Sequence, residues 1–273
     1  MVEEWKSRDE AQIPSATSRW QLILSAEKIT KDFKGVRALN RVDCTVQKGH
    51  IHGLIGPNGS GKTTFFNVIT GSSPATEGKI FFEGRDISGL KPHAIAKQGI
   101  SRTFQRGFVA PTMTCLENVM CGAHARTKAN IVGTFLRLPL TTSAQESRMK
   151  EQAREFLEFV GLGGFEDRWA RDLVWVERQL LQMARALAAE PKLMLLDEPT
   201  SGMGPEESAR VAEMIRRIVG MKITVILVSH DMNLVIGLAD WITVLNSGEK
   251  ICEGSPKSIQ EDPRVLEAYL GKE

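Results

Sequence analysis

No apolar run in this 273-residue chain approaches the roughly 20 residues that a membrane-spanning helix needs. The opening residues, MVEEWKSRDE, contain no apolar signal core, which predicts a chain that stays in the cytoplasm. Excess charge of one sign is missing as well. The 35 Lys and Arg against 33 Asp and Glu leave a net charge of +2, too weak a field to make nucleic acid a main partner. Cysteine is scarce. Cys44, Cys115, Cys121 and Cys252 lack zinc-ligand spacing and sit in apolar or mixed surroundings, so they read as reduced packing residues. His50-x-His52 would share one strand face, yet no further ligand lies nearby, which disfavours a metal there.

What is present is ordinary globular composition, 42% hydrophobic and 25% charged, enough for one large domain or one with an inserted subdomain. One stretch organises the chain: Gly56-Pro57-Asn58-Gly59-Ser60-Gly61-Lys62-Thr63-Thr64. It satisfies the phosphate-binding loop pattern G-x-x-x-x-G-K-S/T, with Gly56, Gly61, Lys62 and Thr63 at the required positions. The apolar run Ile51 to Ile55 leads in as a buried strand, and Thr63 to Thr70 leads out as a short helix stopped by Gly71. Glycines let the backbone turn its N–H groups toward phosphate oxygens, and the helix N-terminus adds positive potential. Lys62 can reach the β- and γ-phosphates, and the Thr63 hydroxyl can ligate Mg²⁺. The chain is expected to bind a nucleoside triphosphate. With no N-K-x-D guanine-reading motif after the loop, a GTPase is disfavoured.

Residues 1–20 are polar and show no sustained period, which predicts a flexible extension. Strand alternation follows in LILSAEKIT, ALNRVDCTV and HIHGLI, broken by turns at Lys34-Gly35 and Lys48-Gly49. Phe33 closes the first run 23 positions before Gly56; by itself it reads either as a core residue at a strand end or as an aromatic for stacking on a base. KIFFEG (79–84) reads as another strand, and a short helix falls near His93 to Gln98. SRTFQ ends on Gln105, a polar residue that can hold a metal or water at the phosphates or simply sit in a surface loop. Between about 106 and 190 the period turns helical. Met149, Ala153, Phe156, Leu157 and Val160, and later Leu180, Leu181, Ala184, Leu187 and Ala188, recur as core faces. The segment 126–145 has weak periodicity, and its form stays open.

Strand character returns with LMLLDEPTSG, an apolar run that carries Asp197 to its carboxyl edge. Phosphoryl-transfer proteins hold Mg²⁺ in this way, and the adjacent Glu198 is placed to polarise an attacking water. ITVILVS (223–229) delivers His230 to the same edge, where it can hydrogen-bond a γ-phosphate. ADWITVLNSGEKICEG (239–254) reads as a hairpin turning at Asn246-Ser247-Gly248, and EDPRVLEAYLG as a short terminal helix. The predicted fold is α/β, a mostly parallel sheet with flanking helices, an N-terminal antiparallel portion and a helical insert.

GPNGSGKTT, Gln105, LMLLDEP, the Ser201-Gly202 turn and VSHD, in this order, resemble the ATPase subunit of ABC transporters. About 135 residues between Lys62 and Asp197 leave room for the helical subdomain that this family inserts. The resemblance covers residues 21–273 and implies a P-loop NTPase core with the helical subdomain at about 106–190. It implies ATP and Mg²⁺ held by Gly56, Pro57, Asn58, Gly59, Ser60, Gly61, Lys62, Thr63 and Thr64, with metal contact from Thr63, Gln105 and Asp197. Catalysis would fall to Glu198 with Lys62, γ-phosphate sensing to His230 and base stacking to Phe33. Implied partners are membrane permease subunits, a second ATPase subunit and, indirectly, a periplasmic-type substrate-binding protein, at the cytoplasmic face of the membrane. Within the family, SRTFQ, PTMTCLENV and EAYLG look like the larger of the two ATPases that serve branched-chain amino acid importers. Urea or short-amide importer subunits are similar, and lipopolysaccharide-exporter ATPases share the final YLG but usually lack RTFQ and this insert.

The chain departs from the family at its signature. Where LSGGQ or a variant should precede the helix before LMLLDEP, it reads Leu173-Val174-Trp175-Val176-Glu177-Arg178-Gln179. Val174 offers no hydroxyl, and Val176 adds a branched side chain where backbone should approach a phosphate held by another subunit. Two sites formed with a heteromeric partner are therefore expected to be unequal. A regulatory nucleotide-binding module with little hydrolysis is the rival reading, against which Glu198 and His230 stand.

Overall fold

The alternating runs near the start of the chain pair as an antiparallel ribbon. In the computed structural model, which describes residues 22–103, 109–123 and 139–270, β1 (Leu22–Phe33) and β2 (Val36–Gln47) meet across the Lys34-Gly35 turn. The extension at 1–20, Gln105 and residues 126–138 lie outside the described residues. β1 outruns its alternation by three residues because register shifts between Ala26 and Ile29, and again on either side of Lys31, break the period without ending the ladder. β4 (Glu77–Phe82) and the two-residue β5 (Arg85–Asp86) complete a sheet in the order β2-β1-β4-β5. The strand expected at 79–84 stops at Phe82, because Glu83 and Gly84 turn at φ 47 and 76.

The second sheet holds β3 (Ile51–Ile55), β6 (Ile100–Arg102), β7 (Leu193–Asp197), β8 (Thr224–Val228), β9 (Trp241–Asn246) and β10 (Glu249–Gly254), in the order β10-β9-β3-β8-β7-β6. All of its pairings are parallel except the β9–β10 hairpin, which turns on Ser247 and Gly248 at φ 49 and 82, the two-residue loop that suits strand twist.

Every residue of β3, β7 and β8 is buried. Their alternation splits between two cores. Leu54, Leu193, Leu195, Ile226 and Val228 face the antiparallel sheet and α1 (Lys62–Ile69), whose Phe65 and Phe66 are fully enclosed. Ile51, Ile55, Met194, Leu196, Val225 and Leu227 face a helical layer instead. That layer includes α5 (Trp175–Leu187), α6 (Pro205–Gly220) and α7 (Met232–Leu238). α2 (Pro92–Gln98) leads into β6, while α3 (Cys115–Ala123) and α4 (Pro139–Phe159) pack beside α5. Of the expected stripes, Ala153, Leu157 and Val160 and all of Leu180, Leu181, Ala184, Leu187 and Ala188 are buried there, while Met149 and Phe156 are only partly buried. α8 (Pro256–Gln260) and α9 (Pro263–Leu270) close the chain against β10. Among the described residues no helix is long and apolar enough to cross a membrane.

His52 is buried on β3, where its Nε2 lies 3.0 Å from Thr243 Oγ1 and 3.7 Å from Cys44 Sγ. Burial pushes its pKa down to about 3 and that of Cys44 up to about 12, so both stay neutral as packing groups. All four cysteines are free thiols. The helical layer is a packed core rather than a surface decoration, so Leu157→Ala should cost about 2–5 kcal/mol through the cavity it leaves. Denaturant unfolding checks this; a midpoint equal to that of the unsubstituted chain would contradict it.

Candidate active site

Where β3 ends, the chain must leave the sheet without room for a side chain. Gly56 sits at φ +148, and a Cβ there would lie 2.0 Å from the Leu245 carbonyl oxygen. Gly61, at φ +103, would place a Cβ 2.7 Å from Leu39 Cδ2 and 2.9 Å from the Ala38 carbonyl oxygen. Between them the loop closes on itself: the Ser60 N–H donates to the Pro57 carbonyl at 3.2 Å, and the Phe65 N–H to that of Gly61 at 2.8 Å as α1 begins. The hairpin turn supports it from behind, the Gly248 N–H donating to the Ser60 carbonyl at 3.1 Å.

Lys62 is buried and folds its ammonium onto the loop, donating to the carbonyls of Gly56 at 2.7 Å and Pro57 at 2.9 Å. Burial holds its pKa below the ordinary lysine value, while the charges of Glu198 and Asp197 act in the opposite direction. Strand alternation turns Asp197 to the side of the sheet that carries α1. Glu198 then breaks the strand, with φ 50 and its N–H donating to the Val228 carbonyl at 2.9 Å. This left-handed conformation is uncommon for a non-glycine residue and sets the carboxylate apart from its neighbour. His230, at the end of β8, meets it: Nδ1 lies 2.7 Å from Glu198 Oε2, and the His230 backbone N–H donates to the same oxygen at 3.3 Å.

Asn58, Gly59, Ser60, Gly61, Lys62, Thr63 and Thr64 line one cleft of about 280 Å³ with Asp197, Glu198, Ala38 and Val228. The sequence-predicted loop and both acids are thus brought together. Phe33 does not line this cleft. It stands 45% exposed at the end of β1, with the Lys31 ammonium 4.8 Å from its ring. Gln105 lies outside the described residues.

Arg102 was not anticipated. From the end of β6 it donates Nη2 to Asp197 Oδ2 at 2.8 Å and Nη1 to Asn67 Oδ1 on α1 at 2.6 Å, with 8% and 5% of the Arg102 and Asp197 side chains exposed. Its only sequence signal is a cation at the end of a short apolar strand, three positions before Gln105.

The signature positions lie at the start of α5, away from the cleft. Val174 is the N-cap and is 58% exposed, whereas Val176 is buried in the helical core. Helical rotation turns the Val176 side chain inward, onto the helical core. The Glu177 carboxylate accepts from the Val174 N–H at 3.0 Å, which is one half of a capping box, and Val174 has no acceptor to supply the other half. Trp175 Nε1 donates to the Ser201 carbonyl at 2.9 Å, tying this helix to the turn after Glu198.

A loop of backbone donors at a helix N-terminus with one lysine is a phosphate cradle. Among the described residues no three His, Cys, Asp or Glu side chains converge to hold a metal alone. The donors present are the Thr63 hydroxyl and the Asp197 carboxylate. They fit Mg²⁺, which takes few protein oxygens and completes its shell with phosphate and water.

A family profile described as ABC transporter matches residues 39–201, more than half of the chain. The chain belongs to the ABC transporter family. A second profile, Branched-chain amino acid ATP-binding cassette transporter, matches residues 249–273 of this ABC ATPase. The high-affinity branched-chain amino acid transport ATP-binding protein BraF of Pseudomonas aeruginosa is 36% identical over 251 residues, covering 92% of this chain and 98% of that one. LivG of Escherichia coli K12, of the same description, is 35% identical over 253 residues, covering 92% and 99%. A nucleotide-free ATP-binding cassette from an ABC transporter superposes with TM-score 0.81 at 34% identity, over 92% of this chain and 100% of that one. An ABC transporter cassette in its ADP conformation does so with the same score and identity, over 92% and 99%.

Removing Arg102 from this ABC ATPase leaves Asp197 as an uncompensated buried charge, so Arg102→Met should cost about 3–5 kcal/mol. Part of that loss should return in the Arg102→Met, Asp197→Asn double variant. A denaturant double-mutant cycle measures it, and a coupling energy near zero would refute the pairing.

Proposed function

We propose that this ABC ATPase hydrolyses ATP to drive uptake of branched-chain amino acids through separate permease subunits at the cytoplasmic face of a membrane. The observation that carries the amino-acid reading is the C-terminal profile match at 249–273, supported by the descriptions of BraF and LivG. A substrate-binding protein would deliver the amino acid to the permeases, since nothing in this chain's cleft selects for one.

The backbone N–H groups from Asn58 to Thr63 would hold the phosphates, and Lys62 would transfer its ammonium from the loop carbonyls to their oxygens. Thr63 and Asp197, with Gln105, would hold Mg²⁺, whose chemistry is to offset charge on the phosphates. Glu198 would orient and deprotonate the attacking water, its carboxylate held by the 2.7 Å bond to His230. His230 then links that carboxylate to the γ-phosphate, and Phe33 stacks on the base. In a reconstituted transporter, Glu198→Gln should bind ATP as the wild type does but lose turnover by about 100-fold or more, together with uptake of labelled leucine. Wild-type-like turnover in that variant would overturn the assignment.

We infer further that the partner ATPase is a different chain, because Val174 presents an alkyl group where the family presents a hydroxyl to the other subunit's nucleotide. The buried Val176 is not the defect. Val174→Ser completes the capping box that Glu177 already half forms, so it should stabilise the fold by about 1 kcal/mol and raise ATPase activity of the dimer. Val176→Gly should instead lower stability, since it empties a packed position. Thermal unfolding and phosphate release measure both; no gain from Val174→Ser would refute the role given to that position.

A further inference from the structure

The phosphate loop is held at its first residue by the far end of the chain. The Gly56 N–H donates to the Tyr269 hydroxyl at 2.8 Å, across 213 positions of sequence. Tyr269 is half-buried on α9, which is anchored by the buried Val265 and packs on β10 and α8. Burial raises the phenol's pKa above its ordinary value, so the oxygen stays a neutral hydroxyl.

The bond falls at a sensitive place. The Gly56 N–H belongs to the peptide that joins β3 to the loop, and the Gly56 carbonyl is the nearest acceptor of the Lys62 ammonium, at 2.7 Å. The Leu245 carbonyl also crowds Gly56, leaving no room even for a Cβ. One residue therefore packs against a strand backbone and donates to a C-terminal hydroxyl while its carbonyl accepts from the phosphate-loop lysine. We infer that Tyr269 is a positioning residue for ATP: its hydroxyl sets the entry of the phosphate loop, and this is a function of the 249–273 segment, which stands apart from the 39–201 cassette match. The inference rests on the reading of Gly56 to Thr64 as the ATP site. It makes Tyr269 act through Gly56 and Lys62, without contact to the nucleotide.

Tyr269→Phe keeps the ring and its packing but deletes the oxygen, leaving the Gly56 amide unpaired in a water-poor position. In the full chain, titration with a fluorescent ATP analogue should show binding about tenfold weaker, and KM for ATP should rise by about the same factor with kcat at saturation nearly unchanged. A merely structural role would lower the active fraction, so kcat would fall while KM stayed put. Wild-type affinity in Tyr269→Phe, or a fall in kcat without a rise in KM, overturns the inference. The wild-type titration separates the two readings. If the wild type binds no ATP, the site assignment fails and the inference with it; if the wild type binds and Tyr269→Phe binds equally, only the role of Tyr269 is lost.

Discussion

Burial of β3, β7 and β8 on both faces confines the exposed polar groups of these strands to the edge where they end. Among their fifteen positions only His52, Thr224 and Asp197 are neither apolar nor glycine, and the first is satisfied by Thr243. Strands of this kind must be covered by helices or a second sheet on each side, and the two cores supply that cover. The loop after β3, Glu198 after β7 and His230 after β8 then emerge side by side, because parallel neighbours end at the same edge.

Charge at that edge is arranged in opposed pairs. Lys62 is partly desolvated between two acids, and Arg102 takes one oxygen of Asp197. A buried ion pair contributes little net stability but fixes geometry, and this one joins β6, β7 and α1 through Asn67. The carboxylates are consequently held by different partners. Asp197 is locked in the sheet layer by arginine, and Glu198 is turned out by its left-handed backbone toward His230. The divergence of these neighbouring acids is a backbone property as much as a side-chain one.

The start of α5 shows how a substitution that breaks a family pattern is absorbed. Val176 adds to the helical core, Trp175 gains a bond to the Ser201 carbonyl, and Glu177 still caps the Val174 amide. The altered signature is thus accommodated within the helical layer apart from the unfilled half of the capping box, and what changes at the surface is the exposed alkyl group of Val174. The Trp175 bond also ties that surface to the turn beside Glu198.

Periodicity and spacing alone made the phosphate loop, the strand that leads into it, the two acids and the terminal hairpin legible, because each is a local pattern: glycines where a Cβ cannot fit, apolar runs that end in a carboxylate. The resemblance added the reading of the helical stretch as an inserted subdomain, and it favoured one of the two readings left open at Gln105 and at Phe33. Three features needed the tertiary structure. Arg102 on Asp197, Tyr269 on Gly56 and the inward turn of Val176 depend on which strand ends and helix faces meet, over 95 positions for the first pair and 213 for the second. A sequence specifies its local turns through steric exclusion, which acts between neighbours. Contacts between distant residues are set only when the buried strands align, since that packing alone decides which polar atoms come within hydrogen-bond reach.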